Sequence, residues 1–294
     1  MAKRTSILAA VAALVIIAAP ALCLANRNEE DNFRWQDASR EMDALPFTRA
    51  FIDSVTKEHL GGPSPLAQRR IQTNRPFMNG ETLVYEVRWG LFRAGFVILT
   101  ATPHRDRGLI RIGGKAMTGN IVSAIYKVRN YDISWIDAEG LYPHFYEHHA
   151  REGNKYRMDS YIIYDNTRNK LFLERRGLQE HETPRFTHDF MSLIYYVRSK
   201  PLNPGDRFEA NLFTRPNTHP IRFSVQDRRE TIQTAAGSFN CVKVELTAGG
   251  DGRVFGRRDK IEVWISDDNH KYPVMLRSRA KIGSLQARLV TIMR

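Results

Sequence analysis

The sequence predicts a mainly β protein: a large antiparallel sheet of about 12 strands, barrel-like or strongly curved, with two short helices and an N-terminal helix. Three observations carry this prediction. From Phe77 onward, short runs of alternating apolar and polar residues recur. Turn-forming groups separate them, among them Asp137-Ala138-Glu139-Gly140, Glu152-Gly153-Asn154, Asp165-Asn166 and Asp267-Asp268-Asn269. Joined by such short turns, so many strands must pair antiparallel, and a sheet of that width has to curl, close or split.

The first 25 residues stand apart. Lys3 and Arg4 precede an uncharged run from Ile7 to Ala19, and small residues surround Cys23 and Ala25 before Asn26. This is the three-part pattern of a secretory signal peptide, with cleavage expected after Ala25. An uncleaved anchor is the alternative, since the run extended to Ala25 approaches the roughly 20 residues of a spanning helix. Pro20 and the small residues after it favour cleavage. A lipid-modified Cys23 would call for a small residue before it and Leu three places upstream, where Leu22 and Pro20 stand. The expected location is the periplasm of a Gram-negative cell envelope.

The 294 residues carry 44 Lys+Arg and 32 Asp+Glu, a net charge of +12 that becomes +10 once Lys3 and Arg4 leave with the signal segment. A 42% apolar, 26% charged balance excludes wholesale disorder, collagen-like and multi-span membrane classes. Two cysteines exclude a disulfide scaffold and a Cys-rich zinc module. After cleavage Cys241 remains, in the alternating run Phe239–Leu246, and reads as packing: a nucleophile needs a positioned base, and none is visible nearby.

Residues 26–76 form a polar N-terminal segment with a helix and a linker. Phe47, Phe51 and Val55 share one face of a helix over 43–60, which Gly61-Gly62-Pro63 stops. The narrow stripe suits packing on the main domain; a partner-binding helix is the other reading. Residues 77–294 form the β-rich domain. In its first strand Leu83, Tyr85, Val87 and Trp89 point one way, and Val84, Glu86 and Arg88 the other. Helices over Ile121–Val128 and Asp189–Arg198 show helical apolar spacing and are expected to plug or cover a core.

Several motifs then converge. They are Gly80-Glu81-x-Leu83-x-Tyr85-x-Val87-x-Trp89-Gly90 with Ala94-Gly95, Ser134-Trp135-Ile136-Asp137 with Gly140-Leu141-x-Pro143, and Asp189–Tyr196. Ala236-Gly237-x-Phe239-x-Cys241 and Trp264–Asp268, followed by Pro273-Val274, complete the set. Together, over about residues 77–294, they resemble a bacterial exported family known as domain of unknown function 3108. The resemblance implies an exported, envelope-located, β-rich protein. It implies no reaction, cofactor or catalytic residue.

Several residues are candidates for chemistry. His144, Tyr146 and His148 alternate on one strand face, with Phe145, Glu147 and His149 on the other. Two histidines so spaced can reach one metal if another strand adds a third ligand; the plain alternative is a polar face inside a barrel. A metal-dependent envelope hydrolase using His144 and His148, with Asp189 or His188, is therefore one reading. Asp267 and Asp268 read as a turn, with too few local oxygens for calcium. No G-x-S-x-G occurs, and the glycines at 249–256 fit neither a Walker loop nor a dinucleotide fingerprint. Arg253, Arg257, Arg258 and Lys260 form the densest basic group, suited to phosphate or carboxylate.

The leading expectation is a non-enzymatic envelope binding or maintenance module, with no cofactor. Its ligand is an anionic or amphipathic component such as lipid, glycolipid or polysaccharide; export argues against nucleic acid. The ligand-binding candidates are Arg88, Trp89, Arg93, Tyr131, Trp135, His144, Tyr146, His148, Arg257 and Arg258. A third reading makes the protein a structural partner in an envelope complex through the 43–60 helix.

Overall fold

The computed structural model describes residues 70–248, 261–280 and 283–294. The signal segment, the 43–60 helix, the glycine-rich 249–256 run, Arg257 and Arg258 lie outside the described residues.

Fourteen strands form one antiparallel sheet. In the first half these are β1 (Glu81–Trp89), β2 (Phe92–His104), β3 (Leu109–Thr118), β4 (Arg129–Asp137), β5 (Pro143–Glu152), β6 (Tyr156–Asp165), β7 (Lys170–Glu174) and β8 (Leu178–Glu182). The second half holds β9 (Arg207–Thr214), β10 (Asn217–Thr234), β11 (Gly237–Ala248), β12 (Ile261–Ser266), β13 (Pro273–Ala280) and β14 (Gly283–Met293). Every strand pairs with its sequence neighbour except across the β8–β9 crossing, and β1 also pairs with β14. The two halves thus meet at the chain's own ends, and β8 and β9 become the edges.

The expected fold class holds, with two strands more than the expected dozen. The strand that sequence reasoning missed is β8, Leu178-Gln179-Glu180-His181-Glu182, which is almost wholly exposed. As an edge strand it pairs only with β7 and buries neither face, so it shows no alternation. Alternation holds in β6, β7 and much of β10, whereas β3 and β4 are buried on both faces. Leu83, Tyr85 and Val87 enter the core, while Glu86 and Arg88 pair outside it at 2.6 Å. The glycines of the first hairpin have the two uses expected of them. Gly90 sits at φ +57, and a Cβ on Gly95 would stand 2.0 Å from the Met117 carbonyl oxygen.

Between the two edges the chain runs through the interior as a helix. Helix α1 (Asn120–Ile125) precedes it in β3–β4; α2 (Phe190–Arg198) joins β8 to β9. The two behave differently. Six residues give α1 no full face, and it buries none of them, so the expected plugging role falls to α2 alone. Helix α2 buries seven of its nine residues. Its start is fixed by a reciprocal cap: Asp189 Oδ1 accepts from the Ser192 amide at 2.8 Å, and the Asp189 amide donates to Ser192 Oγ at 3.1 Å. Gly114 on β3 lets it come close, since a Cβ there would lie 2.8 Å from Met191 Sδ. The lead-in bridges the open edge: His188 forms a parallel β-bridge with Leu212 of β9.

The helix ends on a buried ion pair. Arg198 is 1% exposed and forks onto Glu81 at the start of β1, with Nη2–Oε2 at 3.0 Å and a second bond from Nη1 to Oε1. Its remaining donors reach the carbonyls of Lys271 (2.9 Å) and His270 (3.1 Å) in the β12–β13 turn. Phe77, Tyr195 and Tyr272 surround the guanidinium. Burial works against its charge, but the Glu81 carboxylate outweighs it and raises the Arg198 pKa. Arg198→Leu, which leaves Glu81 buried and unpaired, should cost about 3–5 kcal/mol in urea unfolding. The double variant Arg198→Leu/Glu81→Leu should recover most of that loss; equal losses in the two would refute the pairing account.

Candidate binding cavity

Helix α2 meets two different environments. Toward β9–β14 lies a cavity of about 140 Å³. Leu193, Ile194 and Val197 of the helix face Phe223, Val244, Val263 and Ala287 of the sheet across it. The alternation of β10–β14 makes this wall, because Phe223, Val244 and Val263 occupy inward positions in register with Leu246, Val263 and Leu276. Two lining residues carry polar atoms. The guanidinium of Arg198 is committed to Glu81. The hydroxyl of Tyr85 is buried and makes no hydrogen bond. Burial raises the Tyr85 pKa, so the phenol stays protonated and remains a donor. The space opens in part to solvent, and its apolar wall offers water few hydrogen-bond partners.

The side of α2 facing β3–β6 is polar and filled. Asp132 Oδ1 accepts from His148 Nδ1 at 2.7 Å and from the Tyr146 hydroxyl. Burial, then the carboxylates of Asp132 and Asp189, push the Tyr146 pKa well up, which keeps its proton for that bond. Ser134 donates to Asp189 Oδ2 at 2.7 Å. Arg215, from the β9–β10 connection, reaches Ser160 of β6 at 2.9 Å and so links the two halves of the sheet. His188 lies between Arg70 (2.9 Å) and Ser192 (3.1 Å). Burial, then Arg70 and Lys200, hold it well below the usual imidazole range, so it is neutral at pH 7.

The sequence-predicted residues do not form one site. Tyr146 and His148 share a buried carboxylate, as their spacing allowed. His144 turns to a different one, with Nε2 at 3.7 Å from Asp137 Oδ2, so the two histidines do not converge. Among the described residues no group of three His, Cys, Asp or Glu is placed to hold a metal. Arg88 and Arg93 both bind Glu86 on the outer face. Tyr131 stacks under Lys115, its ring centroid 5.0 Å from Nζ. Trp135 is buried with Ile133 and Phe145 in a separate cluster, and Trp89 is half-buried at the first hairpin. The cavity wall itself escaped sequence reasoning. Its members are ordinary apolar strand residues, and nothing local separates those that touch a neighbour from those that face a void.

A single meandering sheet wrapped around one internal helix, with an apolar cavity beside it, defines a β-barrel-like protein. The chain belongs to the family described as protein of unknown function (DUF3108), whose model matches residues 84–290. No curated protein matches it in sequence. Among solved structures it is similar to a β-barrel-like protein of domain of unknown function DUF1849 from Brucella abortus. The TM-score is 0.53 at 8% identity over 73% of this chain and 97% of that one, a likeness of fold. A protein of YmcC-like fold from Bacteroides fragilis gives a TM-score of 0.28 at 13% identity, covering 73% of this chain and 95% of that one. A protein from Parabacteroides distasonis gives 0.29 at 12%, covering 76% and 97%.

Asp189 gives the site a pH signature. Burial outweighs its hydrogen bonds to Ser134 and Ser192 and pushes its pKa from 3.8 up to about 6. Above pH 4 the unfolded chain releases a proton that the folded chain retains. Stability from this group is therefore greatest below pH 4, falls as pH rises to 6, and is constant beyond. The loss is on the order of 2–3 kcal/mol. Asp189→Asn keeps a capping side chain without the charge. Its stability relative to the wild type should rise between pH 4 and pH 7 in urea titrations, and a gap independent of pH would contradict the assignment.

Proposed function

We propose that the protein is an exported cell-envelope binding protein that holds the hydrocarbon chain of an amphipathic envelope molecule in the cavity beside α2. The observation that carries this is the cavity: apolar, and bounded by a helix fixed at both ends. A chain entering it leaves water for these apolar walls, at about 0.8 kcal/mol per buried methylene. The Tyr85 hydroxyl, a buried donor without an acceptor, supplies a polar anchor for an ester or carboxyl oxygen. Export is supported by the leader pattern of residues 1–25. Among the described residues no helix is long and apolar enough to cross a membrane. The role is one of binding rather than catalysis.

Titration with a fluorescent polyene fatty acid tests this reading. The purified protein should bind it saturably, one per chain. Ala287→Trp and Val244→Phe, which fill the cavity, should each weaken binding by about tenfold or more. Tyr85→Phe should weaken it about three- to tenfold. Absence of saturable binding, or full binding by both filled variants, would overturn the proposal. The protein recovered from the periplasm should also show an intact mass lacking residues 1–25.

A further inference from the structure

The two ends of the sheet differ in kind. Consecutive strands are antiparallel, so every connection that follows an odd-numbered strand lies at one end and every connection that follows an even-numbered strand at the other. Seven large apolar side chains are exposed among the described residues, and six belong to the first end: Leu91, Phe92, Ile121, Ile125, Tyr156 and Leu178. The seventh, Ile71, precedes β1. Leu91, at the tip of the β1–β2 hairpin, is 90% exposed.

Charge divides the same way. The five described connections at this end (90–91, 119–128, 153–155, 175–177 and 215–216) contain no acidic residue, and the strand residues directly flanking them add Arg129, Glu152 and Glu174. Lys127, Lys155, Arg175 and Arg176 are exposed there. At the other end the hairpin connections set Asp106, Glu139, Asp267 and Asp268 against Arg105, Arg107, Arg168 and Lys271, and they balance.

From this asymmetry we infer that the odd-connection end is a docking surface for an anionic phospholipid bilayer. Single exposed apolar residues are ordinary on any protein surface; their confinement to one end is not. A protein interface would gather them into one contiguous patch with a polar rim. Here they stand on four separate connections with cations between them, the pattern of a surface that dips apolar tips among lipid headgroups while Lys and Arg meet the phosphates. The inference goes beyond the cavity's role and does not depend on it. A protein that binds fatty acid but not vesicles would refute this surface alone, and the reverse result would refute the cavity alone.

The test is co-sedimentation of the purified protein with phosphatidylglycerol-containing vesicles, against vesicles of phosphatidylcholine only. The wild type should sediment with the anionic vesicles, and added salt should release it. Lys155→Glu and Arg175→Glu should each lower partitioning by about fivefold or more. Leu91→Ser/Phe92→Ser should lower it at constant charge, with near-ultraviolet circular dichroism confirming the fold. Arg107→Glu, at the opposite end, should leave it unchanged. Failure of the wild type to sediment, equal binding to both vesicle types, or equal effects of Arg107→Glu and Arg175→Glu would each overturn the inference.

Discussion

The buried pair between Arg198 and Glu81 joins parts of the chain that are far apart in sequence. Arg198 closes the last turn of the internal helix, where a cation also suits the negative end of the helix dipole. Glu81 opens the first strand, and the carbonyls of His270 and Lys271 bring in the turn between β12 and β13. Helix, first strand and C-terminal half are thereby held at one point. A guanidinium this deeply buried has no alternative partner in water, so its bonds are costly to break. The position of α2, and with it the shape of the space beside it, follows from this contact and from the Asp189 cap at the other end of the helix.

Fixed at both ends, the helix divides the interior by chemistry. Toward β3–β6 lie Asp132, Tyr146 and His148, which bond one another, and Ser134, which donates to the cap residue Asp189. Such a network leaves little room for a ligand, because every group withdrawn from it would have to be satisfied again. Toward β9–β14 Leu193 and Val197 pack with Phe223 and Val244 in an apolar cluster, and where the two surfaces part they leave a cavity. The two sides of one helix therefore differ in chemistry, one a hydrogen-bonded network and the other an apolar wall. The outer ends of the strands extend this division of labour: the even connections carry α2 and the Arg198 lock, which leaves the odd connections free to carry exposed Leu, Phe and Ile beside Lys and Arg.

Much of the fold was legible in the sequence because period-2 alternation reports one buried face per strand. Leu83, Tyr85 and Val87 illustrate it, and so do the turns at Asp165 and Asp267. It failed at β8, where an edge strand buries nothing, and at α1, where Ile121 and Ile125 mimic a core-facing stripe that six residues cannot complete. The same alternation placed Tyr146 and His148 on one inner face. It could not say that Asp132 of the neighbouring strand would claim both, nor that His144 would turn to Asp137, since a β-bulge between Trp135 and Ile136 shifts the pairing of β4 and β5 at that point.

The sequence by itself determined an antiparallel β protein with a helix over Asp189–Arg198, a basic balance and a buried Cys241, because each depends on local pattern or on composition. Only the tertiary structure decided that β1 joins β14, that Arg198 finds Glu81, and that the wall of β10–β14 stands off from α2. Each of these is a relation between segments distant in the chain. Apolar residues that meet a helix and apolar residues that meet a void have the same local pattern, so the cavity exists only once the sheet has curled around the helix.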